Sequence, residues 1–139
     1  MSISLYLDRY NIRSKEILIN LNNCIMERYL YVFRGGDGMG KTPEEIQAHM
    51  GRWGEWMGKL KEQGKLEGGE PLTPGGRMVK SGGSVVTDGP FAEGSEVVGG
   101  YVLVKSENYD EAVEMSKECP IFETSDGTVE VRQIAEMPG

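Results

Sequence analysis

The string GGDGMGKT, Gly35 to Thr42, has the spacing of a phosphate loop. In G-x-x-x-x-G-K-T loops the backbone N–H groups cradle nucleotide phosphates, while the lysine and hydroxyl meet the phosphate charge and its metal ion. A strand-like stretch, RYLYVFR, precedes it, as such a loop requires. The residues that follow give a different answer. Thr42 is a favoured N-cap, Pro43 suits the first helical position and Glu45 completes a capping box. The helix therefore starts at Pro43 and leaves Lys41 outside it, whereas a phosphate loop carries both Lys and Thr within its helix. A Walker B strand ending in Asp is also missing, because in VVTDG Asp88 heads a Gly-Pro turn. The string is read as a glycine-rich connector, and no cofactor is expected. Cys24 and Cys119 lack metal-ligand spacing, so they are read as reduced thiols and no metal site is expected.

The elements around this connector are legible from local pattern. Residues 28–34 alternate Leu30 and Val32 with Tyr29, Tyr31 and Phe33, a strand apolar on both faces. After Thr42, the residues Ile46, Met50, Trp53, Met57 and Leu60 recur at steps of 4, 3, 4 and 3, predicting a helix over 43–63 that Gly64 stops. Short extended pieces follow in KLEGGEPL, GRMVK and SVVTDG. Residues 97–105 form a strand with Val98, Val102 and Val104 on one face and Val97, Tyr101 and Leu103 on the other. A second helix is capped by Asn108 and Glu111, with Tyr109, Ala112, Val113 and Ser116 as its inner stripe. TVEVRQI is the last strand.

This is an α+β, ferredoxin-like βαββαβ pattern with an extra strand or split hairpin in the middle. Two helices cover one face of the sheet, yet the strands are apolar on both. A second copy of the chain on the open face is the economical solution, so a homodimer is expected.

Composition narrows the partners. The chain has 139 residues, a net charge of −7 and a pI near 4.8, and Lys59, Lys61 and Lys65 are interleaved with Glu55, Glu62 and Glu67. Such a chain repels a nucleic-acid backbone, so none is expected as partner. No apolar run approaches the roughly 18 residues of a membrane span, and no export signal stands out, which points to the cytoplasm. Residues 1–25 contain no Gly and four Asn. They are read either as an upstream extension outside the fold or as an amphipathic arm packing on a partner subunit through Ile17, Leu18, Leu21 and Ile25.

The most distinctive run is VVTDGPFAEGSEVVGGYVLV, residues 85–104. It resembles the signature of the YCII-related family, specifically the branch called DGPF-domain proteins. The likeness rests on Asp88-Gly89-Pro90-Phe91, Ala92-Glu93, Glu96, Gly99-Gly100 and the strand after them. RYLYVFRGG, the TPEE-capped helix with Trp53 and Trp56, GKLEGGEPL, DEAVEMSKECP and GTVEVRQI extend it over roughly residues 26–135. The domain is accordingly drawn as residues 26–139.

The resemblance implies a dimeric α+β barrel. It also implies one of two functions: a cofactor-free small-molecule enzyme, lyase- or isomerase-like, or a non-catalytic ligand-binding or protein-interaction module linked to sigma-factor regulation. The wider family is associated with a His–Asp pair in a cleft beside the sheet. Asp88 matches the acid. The family's helix histidine falls near Trp53, while the only histidine here, His49, lies one turn earlier, on the same helical face. As a pair, Asp88 would orient the imidazole and His49 would act as general base. Asp88 also suits plain turn formation, and His49 a boundary position beside the helical stripe. Glu93 and Glu96 are read as edge carboxylates. The aromatics Trp53, Trp56 and Tyr101 are the candidate ligand-binding residues, with Trp53 in the core stripe and Trp56 on a pocket wall.

From the two-faced strands, the purified chain is expected to elute as a dimer at micromolar concentration, and removal of residues 1–25 to leave dimerisation and Tm unchanged. A stable monomer in size-exclusion chromatography would contradict the two-faced-sheet argument.

Overall fold

A computed structural model describes residues 26–36, 42–89 and 96–137. The chain runs β1 (Glu27–Arg34), α1 (Pro43–Glu62), β2 (Leu66–Pro71), β3 (Arg77–Lys80), β4 (Val85–Asp88), β5 (Val98–Ser106), α2 (Tyr109–Ser116) and β6 (Thr128–Gln133). Four strands form one antiparallel sheet in the order β2-β5-β1-β6. That order, with one helix after β1 and one after β5, is the ferredoxin-like arrangement the alternation predicts. The strands β3 and β4 make a separate two-stranded hairpin between β2 and β5. The extra middle piece of the sequence is therefore an excursion, not a fifth strand of the sheet.

Local chemistry sets the helix ends where the caps put them. Thr42 Oγ1 accepts the Glu45 N–H at 3.2 Å, and Pro43 opens α1. This fixes the start of the helix, while Lys41 itself falls outside the described residues. At the other end Gly64 adopts φ +70° and the Lys65 N–H reaches back to the Leu60 carbonyl at 2.9 Å. Only glycine takes that left-handed turn without strain, which is how α1 stops and feeds β2. In α2, Asn108 Oδ1 accepts the Glu111 N–H at 2.8 Å.

The core forms where the odd residues of β1 meet the helices. Tyr29, Tyr31 and Phe33 are buried, and on β5 Val102 and Val104 join them in register. Trp56 and Leu60 of α1, Ala112 of α2 and Ile121 close the cluster. Trp56 stacks on Tyr31 at 6.1 Å between centroids, and its indole N–H donates to the Met115 carbonyl at 3.1 Å. Tyr31 donates its hydroxyl to the Ala112 carbonyl, so one phenol ties β1 to α2. Burial raises the pKa of this phenol, and desolvation pushes that of Tyr29 up to about 12.

The helical stripes differ from expectation at their edges. Ile46 and Met50 are 49% and 63% exposed, because the sheet lies beneath only the later turns of α1. In α2, Tyr109 and Val113 lie at the surface and Met115 packs inward instead. The Tyr109 ring still meets Tyr29 edge-on at 5.0 Å, and its hydroxyl accepts the Gln133 N–H.

The other face of the sheet carries Leu30, Val32, Tyr101 and Leu103, each only half-buried, in adjacent cross-strand pairs. Charged rows frame them: Arg28 pairs with Glu67 at 2.8 Å on one side and Arg34 with Glu130 at 2.7 Å on the other.

Two substitutions in α1 should move stability in opposite directions. Trp56→Ala removes the side chain that spans β1 and α2 and is expected to cost about 3–5 kcal/mol. Gly51→Ala sits on an exposed helical turn with nothing within 4 Å of the new methyl, and should stabilise by about 0.5–1 kcal/mol. Chemical denaturation midpoints check both.

Candidate functional site

A cavity of about 380 Å³ opens between the middle of α1 and the ends of β1, β2 and β5. Its walls are Phe33, Met50, Trp53, Met57, Val102 and Ile121. The glycines of β2 and β5 leave room beside them. Gly69 and Gly100 face each other's strands so closely that a methyl at Gly69 would strike the Tyr101 backbone, and Gly99 opens to empty space. Depth, apolar walls and few polar groups are the attributes of a small-molecule site.

His49 lines this cavity and sits in a chain of four side chains. The Trp53 indole N–H donates to His49 Nε2 at 3.0 Å. Nε2 is therefore the acceptor nitrogen, and the ring proton sits on Nδ1 in the neutral imidazole. Nδ1 in turn donates to Glu123 Oε2 at 2.9 Å. Arg52 grips the same carboxylate from both sides, Nε to Oε1 at 2.5 Å and Nη2 to Oε2 at 2.8 Å. The Arg52 guanidinium first, and the His49 hydrogen bond second, lower the Glu123 pKa to about 2. A carboxylate that fixes the tautomer and orientation of an imidazole is the arrangement that makes a histidine a directed base.

The positions of the expected residues are as follows. His49 and Trp53 line one cavity, while Tyr101 borders it through its backbone and carries its ring on the opposite face of the sheet. Trp53, expected in the core stripe, packs against the core and also walls this cavity, while Trp56, expected on a pocket wall, is 4% exposed in the core and borders a second groove. Helix rotation explains it, since Trp56 and Leu60 point at Tyr31 while Trp53 points at the edge of Phe33, 5.0 Å between centroids. Asp88 ends β4 on the exposed hairpin, opposite Arg77, and is not among the residues of the cavity wall. Pro90, Phe91 and Glu93 of the DGPF run lie outside the described residues, as does Cys24, and Glu96 is exposed. Cys119 is a buried free thiol whose pKa burial pushes up to about 12, which makes it an apolar packing group.

Glu123 and Arg52 had not been singled out. Glu123 closes a short 3-10 turn, Pro120–Glu123, after α2. The only sequence signal for it is Pro120 as a turn opener. Close packing there depends on Gly127, where a methyl would collide with the Ile121 carbonyl.

A second, wider groove of about 500 Å³ runs along the outer side of α1 past Arg52, Lys59, Glu118 and Phe122. Its floor is the buried Trp56, Cys119 and Pro120, and its rim is charged and exposed at Arg52, Lys59 and Glu118. Among the described residues no group of three His, Cys, Asp or Glu could hold a metal ion, and no helix is long and apolar enough to cross a membrane.

The Glu123 carboxylate gives a pH signature. Its folded pKa lies below the ordinary value of 4.5, so its contribution is present above about 4.5 and is lost as pH falls toward about 2. Stability should drop across that window, and Arg52→Ala should flatten the drop. Thermal melts between pH 5 and 2 on both proteins check this.

The sequence profile of the YCII-related domain matches residues 29–138. No curated protein is significantly similar to the chain. The match takes in every strand and helix described above, together with the histidine and glutamate of the cavity network, and by it the chain belongs to the YCII-related domain family.

Proposed function

We propose that this protein binds a small, largely apolar molecule in the cavity beneath α1, and that His49 is the group that acts on it. The carrying observation is the tautomer of His49. Glu123 holds the proton on Nδ1, which leaves the Nε2 lone pair at the cavity wall. The Trp53 indole N–H occupies that lone pair. A ligand O–H, N–H or acidic C–H that replaces the indole would meet a base of defined direction, as cofactor-free proton transfer requires. Such chemistry fits a lyase- or isomerase-like enzyme of the DGPF branch, the branch whose signature Asp88-Gly89-Pro90-Phe91 resembles. Asp88 then serves the hairpin rather than the base.

The same reading makes the protein a cytoplasmic homodimer. The open sheet face supports it, since Leu30, Val32, Tyr101 and Leu103 form an apolar centre within charged rows, the anatomy of an interface. The non-catalytic alternative, a binding module in a sigma-factor setting, keeps the cavity and dispenses with the base.

A thermal-shift panel of phenolic, carbonyl and amine compounds tests the proposal. A true ligand at a hundred times its Kd should add about 2.7 kcal/mol of stability. Met50→Trp, a change on the exposed rim of the cavity, should abolish the shift without unfolding the chain. His49→Gln should retain binding but lose at least 100-fold in turnover. A panel in which no compound shifts Tm argues against the cavity, and a His49→Gln variant with unchanged turnover argues for the non-catalytic module.

A further inference from the structure

His49 touches a carboxylate, and a carboxylate does two different things to an imidazole. As an acceptor for Nδ1–H it orients the ring. As an unmatched negative charge it favours the imidazolium, which has no lone pair left for a ligand. Glu123 Oε2 lies 2.9 Å from Nδ1. Its charge is already matched, because Arg52 Nη2 donates to the same oxygen at 2.8 Å and Arg52 Nε donates to Oε1. Arg52 does this from the other side of α1: His49 and Trp53 line the cavity, whereas Arg52 and Glu123 line the outer groove. The Trp53 indole N–H acts in the same sense. It donates to Nε2, a contact that an imidazolium, with N–H on both nitrogens, cannot accept. Two further ionic groups belong to the surroundings. Glu45 lies one turn earlier on the same face of α1, and Asp126 accepts the Gly36 N–H at 3.2 Å beside the cavity wall. The strands contribute Phe33, Gly69, Gly100 and Val102 to the wall, and Glu70 of β2 carries its carboxylate on the opposite face of the sheet. The His49 side chain is only 14% exposed, so little solvent screens it from the Arg52–Glu123 pair.

We propose that Arg52 is a positioning residue that keeps His49 uncharged: it takes up the negative charge of Glu123, so that the carboxylate orients the imidazole without protonating it. The proposal rests on His49 being the base, and adds the residue on which that capacity depends. A guanidinium stays charged throughout the working pH range and grips both carboxylate oxygens, so the ion pair is complete without the imidazole. The low pKa of Glu123, about 2, has Arg52 as its first cause and His49 as its second. With Arg52 removed, the remaining hydrogen-bond partner of this carboxylate among the described residues is His49 itself. Protonation at Nε2 would then supply the missing cation, at the cost of the lone pair that faces the cavity.

The chain has a single histidine, so the imidazole nitrogen shifts in an NMR spectrum report His49 alone. On the untagged full chain at about pH 7.5 they are expected to show a neutral ring with its proton on Nδ1. Arg52→Gln should raise the ratio of imidazolium to imidazole about tenfold. The Arg52 side chain is 44% exposed, so the change leaves the core packing alone. Arg52→Lys, which keeps the charge without the fork, should restore most of the neutral ring. Adding Glu123→Gln to Arg52→Gln should restore it too, because no carboxylate is left to match. Lys59→Gln removes the same charge from an exposed position two turns along α1 and should leave the ring unchanged. An unchanged ring in Arg52→Gln, or an equal rise in Lys59→Gln, overturns the role of Arg52 while His49 remains the base. An imidazolium in the unsubstituted chain overturns both that role and the reading of His49 as a base.

Discussion

The fold depends on the placement of three aromatic rings at alternate positions of one central strand. Tyr29, Tyr31 and Phe33 all fall on the face of β1 that the helices cover, and each meets a different part of the helical layer. Tyr29 meets Tyr109 at the start of α2, Tyr31 reaches the α2 backbone and Trp56, and Phe33 meets Trp53. Period two along the strand is thereby converted into an axial order along the helices. The cavity is the place where this ladder ends. Beyond Phe33 the chain continues as Gly35 and Gly36, which cannot fill the space beneath the early turns of α1.

The same ladder makes the site asymmetric in its mechanics. Trp56 is held by a stack on Tyr31 and a bond to Met115, whereas Trp53 meets Phe33 and Trp56 edge-on and gives its indole N–H to a histidine. Arg52 and Glu123 hold the far side of the imidazole, so movement of Trp53 leaves the tautomer of His49 in place.

How far the sequence carried the reading follows from the range of each interaction. The ends of α1 and α2 were legible because caps are chemistry between residues three apart, as at Thr42 and Glu45 or Asn108 and Glu111. The two-faced strands were legible from alternation, and the pairs Tyr31 with Val102 and Leu30 with Leu103 sit where that alternation requires. The inner stripe of α1 was legible only in part. Periodicity gives a face but not which turns lie over the sheet, hence the exposure of Ile46 and Met50 and the deep burial of Trp56. The partner of His49 was not legible, because Glu123 lies 74 positions away in a turn with little signature. The DGPF run drew attention to Asp88 through its composition, while the structure sets Asp88 on a hairpin with a sheet of its own.

The two outer strands of the main sheet have one more consequence. β2 and β6 expose unpaired backbone groups along their free sides, the usual template for chain-to-chain strand addition. β2 is a poor template: a bulge between Leu66 and Gly68 breaks its register, two glycines weaken it and Pro71 ends it without an N–H. β6 carries Glu130 and Arg132 on the open sheet face, across from Val32 and Leu30, so a strand added beside it would lie next to both charges. The residues that keep the cavity roomy at Gly69 thus also blunt the sheet's edge, so a substitution that tightened the site with a β-branched residue would also make that edge a better template for strand addition.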